Sequence, residues 1–106
     1  MESSKHLYEI TAYTENQVGL LSAIAGIYTR RSINIEKLLV YPSKISGIHK
    51  FKIYSWTTAE LAKAVAMQIE KKVDVVKVYY HVDERSLAEV SDVTAILLDR
   101  ENNNKQ

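Results

Sequence analysis

The sequence predicts an α+β fold whose elements follow the order β-α-β-β-α-β, and three observations carry that prediction. Four runs, residues 7–13, 33–41, 48–56 and 74–82, alternate apolar with polar side chains or are rich in branched and aromatic ones, as strands are. Two runs between them, residues 20–32 and 59–73, space their apolar residues by three and four, the period of a helix with one buried stripe. The strand–helix–strand unit occurs twice, and right-handed crossovers then restrict the topology.

In the first strand Tyr8, Ile10 and Ala12 share one face and Glu9, Thr11 and Tyr13 the other. A polar loop, residues 15–19, holds one glycine and delivers the chain into the first helix. The apolar positions there are Leu20, Leu21, Ile24, Ala25, Ile27 and Tyr28. Arg30 and Arg31 fall near its end, where cations suit the negative pole of the helix. Residues 33–41 form the second strand, with Asn34 at its opening. Residues 42–47 carry the proline, serines and glycine of a long hairpin turn. The third strand opposes Phe51 and Ile53 to Lys50, Lys52 and Tyr54. Thr57 or Thr58 can cap the second helix, which turns Leu61, Ala62, Val65, Ala66 and Ile69 inward. The last strand sets Val76, Val78, Tyr80 and Val82 on one side.

That order is the ferredoxin-like arrangement, a four-stranded antiparallel sheet with both helices on one face. Residues 1–6 are expected to be a flexible N-terminus, residues 7–82 the folded domain and residues 83–106 a C-terminal extension. Leu87, Val90, Val93 or Thr94, and Leu97 fit a helical stripe from near Ser86, followed by a polar, disordered end. A fifth strand through residues 93–98 is the competing reading.

With the helices on one face, the other face of the sheet meets water or a partner. Tyr13, Tyr54 and Tyr79, interleaved with Lys50, Lys52 and Lys77, are expected there, as an interface or as a solvated surface. The C-terminal helix folding across that face is a third possibility.

Composition excludes several functions. At 106 residues, with 46% hydrophobic and 25% charged side chains, the chain has the makings of one globular domain. A net charge of +1 gives no field for nucleic acid or an anionic membrane. Without cysteine there are no disulfides, thiolate metal sites or cysteine nucleophile. No run approaches the roughly 20 apolar residues of a membrane span, and the N-terminus lacks the apolar core of a signal peptide. A soluble cytoplasmic protein is expected. His6, His49 and His81 lack metal-ligand spacing, and no close pair of carboxylates suggests acid–base catalysis. The third strand has aromatics but not the Gly-Phe-Gly-Phe core of an RNA-recognition motif. Acylphosphatase-like hydrolysis, also possible on such a fold, wants an arginine in the anion-binding loop, and residues 15–19 contain none.

What remains is a place to hold something small and charged. The first turn of a helix leaves amide N–H groups free and favours a negative group, so a carboxylate can rest near Gly19, Leu20 and Leu21. Asn16 and Asn34 both donate and accept hydrogen bonds. On spacing alone, Asn16 and Gly19 can equally do no more than shape the turn.

The run Thr14-Glu15-Asn16-Gln17-Val18-Gly19-Leu20-Leu21, followed by Arg30-Arg31-Ser32-Ile33-Asn34-Ile35-Glu36-Lys37-Leu38, resembles the ACT domain. More narrowly, it resembles the N-terminal domain of the small regulatory subunit of acetolactate (acetohydroxyacid) synthase. There a strand ends in EN-x-x-G-x-L and a helix leads to R-x-x-N-I-E-x-L. Gln68-Ile69-Glu70-Lys71, with Val73-Asp74-Val75-Val76-Lys77-Val78, matches a further stretch of that family. The resemblance covers residues 7–82.

It implies a non-catalytic regulatory domain that pairs side by side with a second copy and binds a branched-chain amino acid such as valine between them. Asn16, Gly19, Leu20 and Leu21 would form one wall, and Asn34 and Ile35 of the other copy the second. The catalytic large subunit would be the partner and would carry thiamine diphosphate, FAD and magnesium. A stand-alone ACT module, serving another enzyme or binding no ligand, is the alternative. The family's small subunit normally has a further C-terminal domain, whereas residues 83–106 are all that follow here, so a truncated piece and a short variant both stay open.

Overall fold

A computed structural model describes residues 4–15 and 18–83. Its elements are β1 (His6–Thr14), α1 (Leu20–Arg30), β2 (Lys37–Pro42), β3 (His49–Thr57), α2 (Ala59–Glu70) and β4 (Val75–Val82). They form one antiparallel sheet in the order β2-β3-β1-β4, with β1 and β3 central. This is the βαββαβ, ferredoxin-like fold the sequence predicts. The proposed C-terminal helix, or fifth strand, lies outside the described residues, as do Asn16 and residues 1–3.

Cross-strand register sorts the two faces. Ile10 pairs with Ile53 and Ala12 with Phe51 on one side of β1, and with Tyr80 and Val78 on the other. Ile10, Ala12, Phe51, Ile53 and Val78 join one core cluster with Leu20, Ile24, Ile27 and Tyr28 of α1 and Val65, Ala66 and Ile69 of α2. Both helices therefore cover the same face. Phe51 and Ile53 are fully buried there, and truncating such a phenylalanine to alanine costs about 3–5 kcal/mol.

Several boundaries differ from the sequence reading, each for a local reason. Helix α1 ends at Arg30, not Ser32, because Ser32 takes a left-handed conformation (φ 56°). Strand β2 begins at Lys37 rather than residue 33; Ile33 is drawn into the core and Asn34 lies in the extended connection before the strand. Helix α2 stops at Glu70, and Val73 beyond it is almost wholly exposed. The Thr58 hydroxyl accepts from the Leu61 amide at 3.2 Å, so Thr58 rather than Thr57 caps α2. A register shift between Tyr13 and Thr14 puts Val75 into the core and leaves Val76 exposed, reversing the expected placement of Val76. Leu21, expected in the buried stripe of α1, is 46% exposed.

Candidate functional site

Of the residues singled out for ligand binding, Gly19, Leu20 and Leu21 lie at the start of α1 and Asn34 and Ile35 just beyond its end. At its start, Glu15 N–H donates to the Asp74 carbonyl at 2.8 Å and ties the loop to the approach of β4. Gly19 is the N-cap in a left-handed conformation, φ 80° and ψ −16°. A Cβ there would meet nothing within 4 Å among the described residues, so the preference for glycine comes from the left-handed backbone. The Gly19 carbonyl accepts from Ala23 N–H at 3.2 Å, which closes the first turn. That turn has no acidic residue, and no side-chain cap hydrogen bond is formed among the described residues. Leu20 anchors the turn in the core while Leu21 stays outside.

The far end is closed. Ser32 N–H donates to the Thr29 carbonyl at 3.0 Å and Ile33 N–H to the Tyr28 carbonyl at 2.9 Å. With Ser32 left-handed and Ile33 buried, this is a Schellman C-cap. Arg31 Nε donates to Gln68 Oε1 at 3.1 Å and fastens the end of α1 to α2. Directly beyond lies a surface pocket of about 340 Å³, walled by Tyr28, Ser32, Asn34 and Ile35 among others. Asn34 is exposed and Ile35 half-buried. The Tyr28 hydroxyl is buried without a hydrogen-bond partner among the described residues, and burial drives its pKa well above the ordinary tyrosine value.

The chain thus brings Gly19, Leu20 and Leu21 together at one end of α1, and Asn34 and Ile35 at the other. It does not bring the two sets together. The eleven residues of α1 lie between Gly19 and Asn34, roughly 16 Å of helix at 1.5 Å per residue.

A third cluster escapes the sequence reading. Glu9, on the face away from the helices, is buried. Thr11 Oγ1 donates to Glu9 Oε1 at 3.1 Å, and Lys52 Nζ and His81 Nε2 each lie 3.7 Å from its carboxylate. Desolvation, followed by the Glu9 charge, pushes the Tyr54 pKa up to about 12. Only cross-strand pairing, Glu9 with Tyr54 and with His81, assembles this group, and nothing in the linear sequence marks it. Tyr13, Tyr54, Tyr79, Lys50, Lys52 and Lys77 all share this face by register, as expected.

Among the described residues no group of three His, Asp or Glu side chains could hold a metal ion. No described helix is long and apolar enough to cross a membrane.

Comparison with known proteins matches this geometry to a family. The AHAS small subunit-like ACT domain profile matches residues 10–77. The probable acetolactate synthase small subunit of Methanothermobacter thermautotrophicus is 35% identical over 78 residues, which are 74% of this chain and 45% of that protein. The small subunit of acetolactate synthase isozyme 3 of Escherichia coli is 29% identical over 69 residues, 65% of this chain and 42% of that protein. The chain therefore spans less than half the length of these relatives. Among solved structures, the acetolactate synthase small subunit of Thermotoga maritima superposes with TM-score 0.63 at 24% identity, covering 70% of this chain and 46% of that one. The ACT domain of the GTP pyrophosphokinase of Chlorobium tepidum superposes with TM-score 0.61 at 18% identity, covering 74% and 100%. The chain belongs to the AHAS small subunit-like ACT domain family.

Proposed function

We propose that this chain is the effector-binding domain of a regulatory, non-catalytic subunit of acetolactate synthase, working in the cytoplasm. Two copies join side by side, and a branched-chain amino acid, valine, sits between the Gly19 turn of one and the Asn34–Ile35 connection of the other. The observation that carries this reading is the separation of the two half-sites. Both ends of α1 offer binding groups, and one copy cannot bring them to a single small molecule.

The chemistry of each half suits an amino acid. First-turn amides of α1 favour the carboxylate. The Asn34 amide can accept from the ammonium, and Ile35 and the exposed Leu21 supply apolar surface for a branched side chain. Strand β2 is an edge strand whose Leu38, Leu39, Val40 and Tyr41 are each more than a third exposed. An apolar unpaired edge is a ready site for a second copy.

Regulation needs the ligand to favour one arrangement over another, since equal affinity for both would change nothing. On this reading valine bridging the two copies stabilises one pairing geometry, which the catalytic large subunit senses. Thiamine diphosphate, FAD and magnesium belong to that subunit. Isothermal titration with valine tests the proposal. Asn34→Ala should weaken binding about tenfold and leave stability within about 0.5 kcal/mol, as exposed substitutions do. Equal affinities would remove Asn34 from the site. A firm dimer that takes up no amino acid would favour a purely structural ACT module.

A further inference from the structure

The helix-free face carries a second concavity, at the hairpin end of the sheet and on the side opposite α1. Register lays one row of side chains across all four strands there: Tyr41 of β2, Lys50 of β3, Tyr13 of β1 and Lys77 of β4. The Lys50 ammonium stands 5.3 Å from the centre of the Tyr13 ring. Tyr13 in turn meets Tyr79 edge to face, with ring centres 6.3 Å apart. The turn after β2 bends over this row and adds Lys44 and Ile45, the latter 65% exposed. Together they wall a pocket of about 520 Å³, within the range of small-molecule sites.

Its electrostatics are one-sided. The pocket is lined by two lysines and two tyrosines and by no carboxylate. Neither Lys44 nor Lys50 is in an ion pair among the described residues, whereas Lys52 and Lys77 are paired with Glu9 and Glu70. Glu9, on the same face, is committed to Thr11, Lys52 and His81. Hydrogen bonding to the Tyr13 phenol also holds the Lys50 ammonium above the ordinary lysine pKa.

We propose that this pocket binds a planar organic anion, an aromatic ring bearing a phosphate or a carboxylate. Its acidic group meets Lys44 and Lys50, and its ring lies against Tyr13, Tyr41 and Ile45. Ammonium groups recognise the anion by charge-assisted hydrogen bonds. The tyrosine faces and Ile45 give an apolar, stacking surface that a hydrated inorganic anion cannot use. The pocket opens on the sheet face opposite α1, and its Tyr41 lies on the β2 edge at which a second copy is proposed to join.

Amide-resolved NMR titration of the full 106-residue chain tests this with four probes: phenyl phosphate, benzoate, inorganic phosphate and benzylamine. Phenyl phosphate and benzoate should move the amides of Tyr13, Tyr41, Lys44, Ile45 and Lys50 saturably, and the tighter of the two identifies the acidic group. Inorganic phosphate should bind at least about tenfold more weakly and benzylamine should leave those amides unmoved, since each lacks one half of the recognition. K44E/K50E should abolish the saturable shifts, and Tyr41→Ala should weaken the ring-bearing probes while leaving inorganic phosphate unchanged. Unaltered β1 and β3 amide patterns show that the variants fold. Equal binding of inorganic and phenyl phosphate would overturn the proposal, as would binding that survives K44E/K50E or the lack of any saturable shift confined to this pocket.

Discussion

The two ends of α1 solve the same problem in opposite ways. A helix leaves donors unsatisfied at its start and acceptors at its finish, and here both ends use a residue in the left-handed region. At the finish, Ser32 reverses the chain so that Ile33 and Ser32 donate back to Tyr28 and Thr29, and Arg31 locks the turn to Gln68 of α2. The Tyr28 and Thr29 carbonyls are thereby satisfied, and the end is structural. At the start, Gly19 accepts the first helical bond and no side chain of the described residues caps the turn. A Cβ built on Gly19 meets nothing within 4 Å among the described residues. The closed terminus leads directly into the Asn34 connection, whereas the start of the helix has no side-chain cap among the described residues. On the proposed reading, binding groups and rigid support are divided between the two ends of one helix.

The shared support should give the largest effect. Ile24 sits midway along α1 and is buried in the core. Ile24→Ala should cost about 2–5 kcal/mol in urea denaturation, disturbing both ends together. A loss below 1 kcal/mol would mean that the ends do not depend on this packing.

Gly19→Val comes next and separates the ends. A branched residue forced to φ 80° should lose about 1–2 kcal/mol of stability. By reorienting the first turn it should also weaken valine binding more than that cost alone explains. If binding is kept while stability falls, the open end is not part of the site.

Tyr28→Phe probes the closed end and should be the smallest change. It removes a buried hydroxyl that has no partner among the described residues, so stability at neutral pH should hold or rise by less than about 1 kcal/mol. The sign at high pH follows from the raised pKa. Unfolded Tyr28 ionises near 10.0 while the folded residue stays protonated, so its contribution is complete below that value and falls as pH rises above it. The variant should lose less stability than the parent between pH 9 and about 11.5. Parallel curves for the two proteins would show that Tyr28 reaches solvent.

Much of this was legible in the linear chain, and the exceptions share a cause. The core faces of the central strands, and the Ala62–Val65–Ala66–Ile69 stripe of α2, follow from periodicity because packing there obeys local spacing. Gly19 could be flagged because a left-handed N-cap has few alternatives to glycine. Ser32 could not, because its conformation is set by the bonds Ile33 makes once that side chain enters the core. The bulge that exchanges Val75 for Val76 comes from pairing with β1 and leaves no trace in an unbroken run of apolar residues. Glu9 reads as a solvated residue until Thr11, Lys52 and His81 surround it from three strands. Leu21 fits the helical period but falls at the edge of the stripe, where only the tilt of α1 decides its exposure. For the residues proposed to bind, the motif is what singles them out, whereas the placement of Gly19 and Asn34 at opposite ends of α1 is a fact of the fold.

The claim that each ligand is held by two copies is tested most directly by mixing two defective proteins. Gly19→Val and Asn34→Ala should each weaken valine binding about tenfold or more when alone. Because a symmetric pair contains two equivalent sites, a mixed pair places both lesions in one site and leaves the other intact. Random re-pairing should therefore restore binding to roughly a quarter of all sites, with near-native affinity. Calorimetry on the mixture, with mixed pairs verified by sedimentation of a tagged copy, should find that recovery. Mixed pairs that form and still fail to bind valine would contradict the shared site.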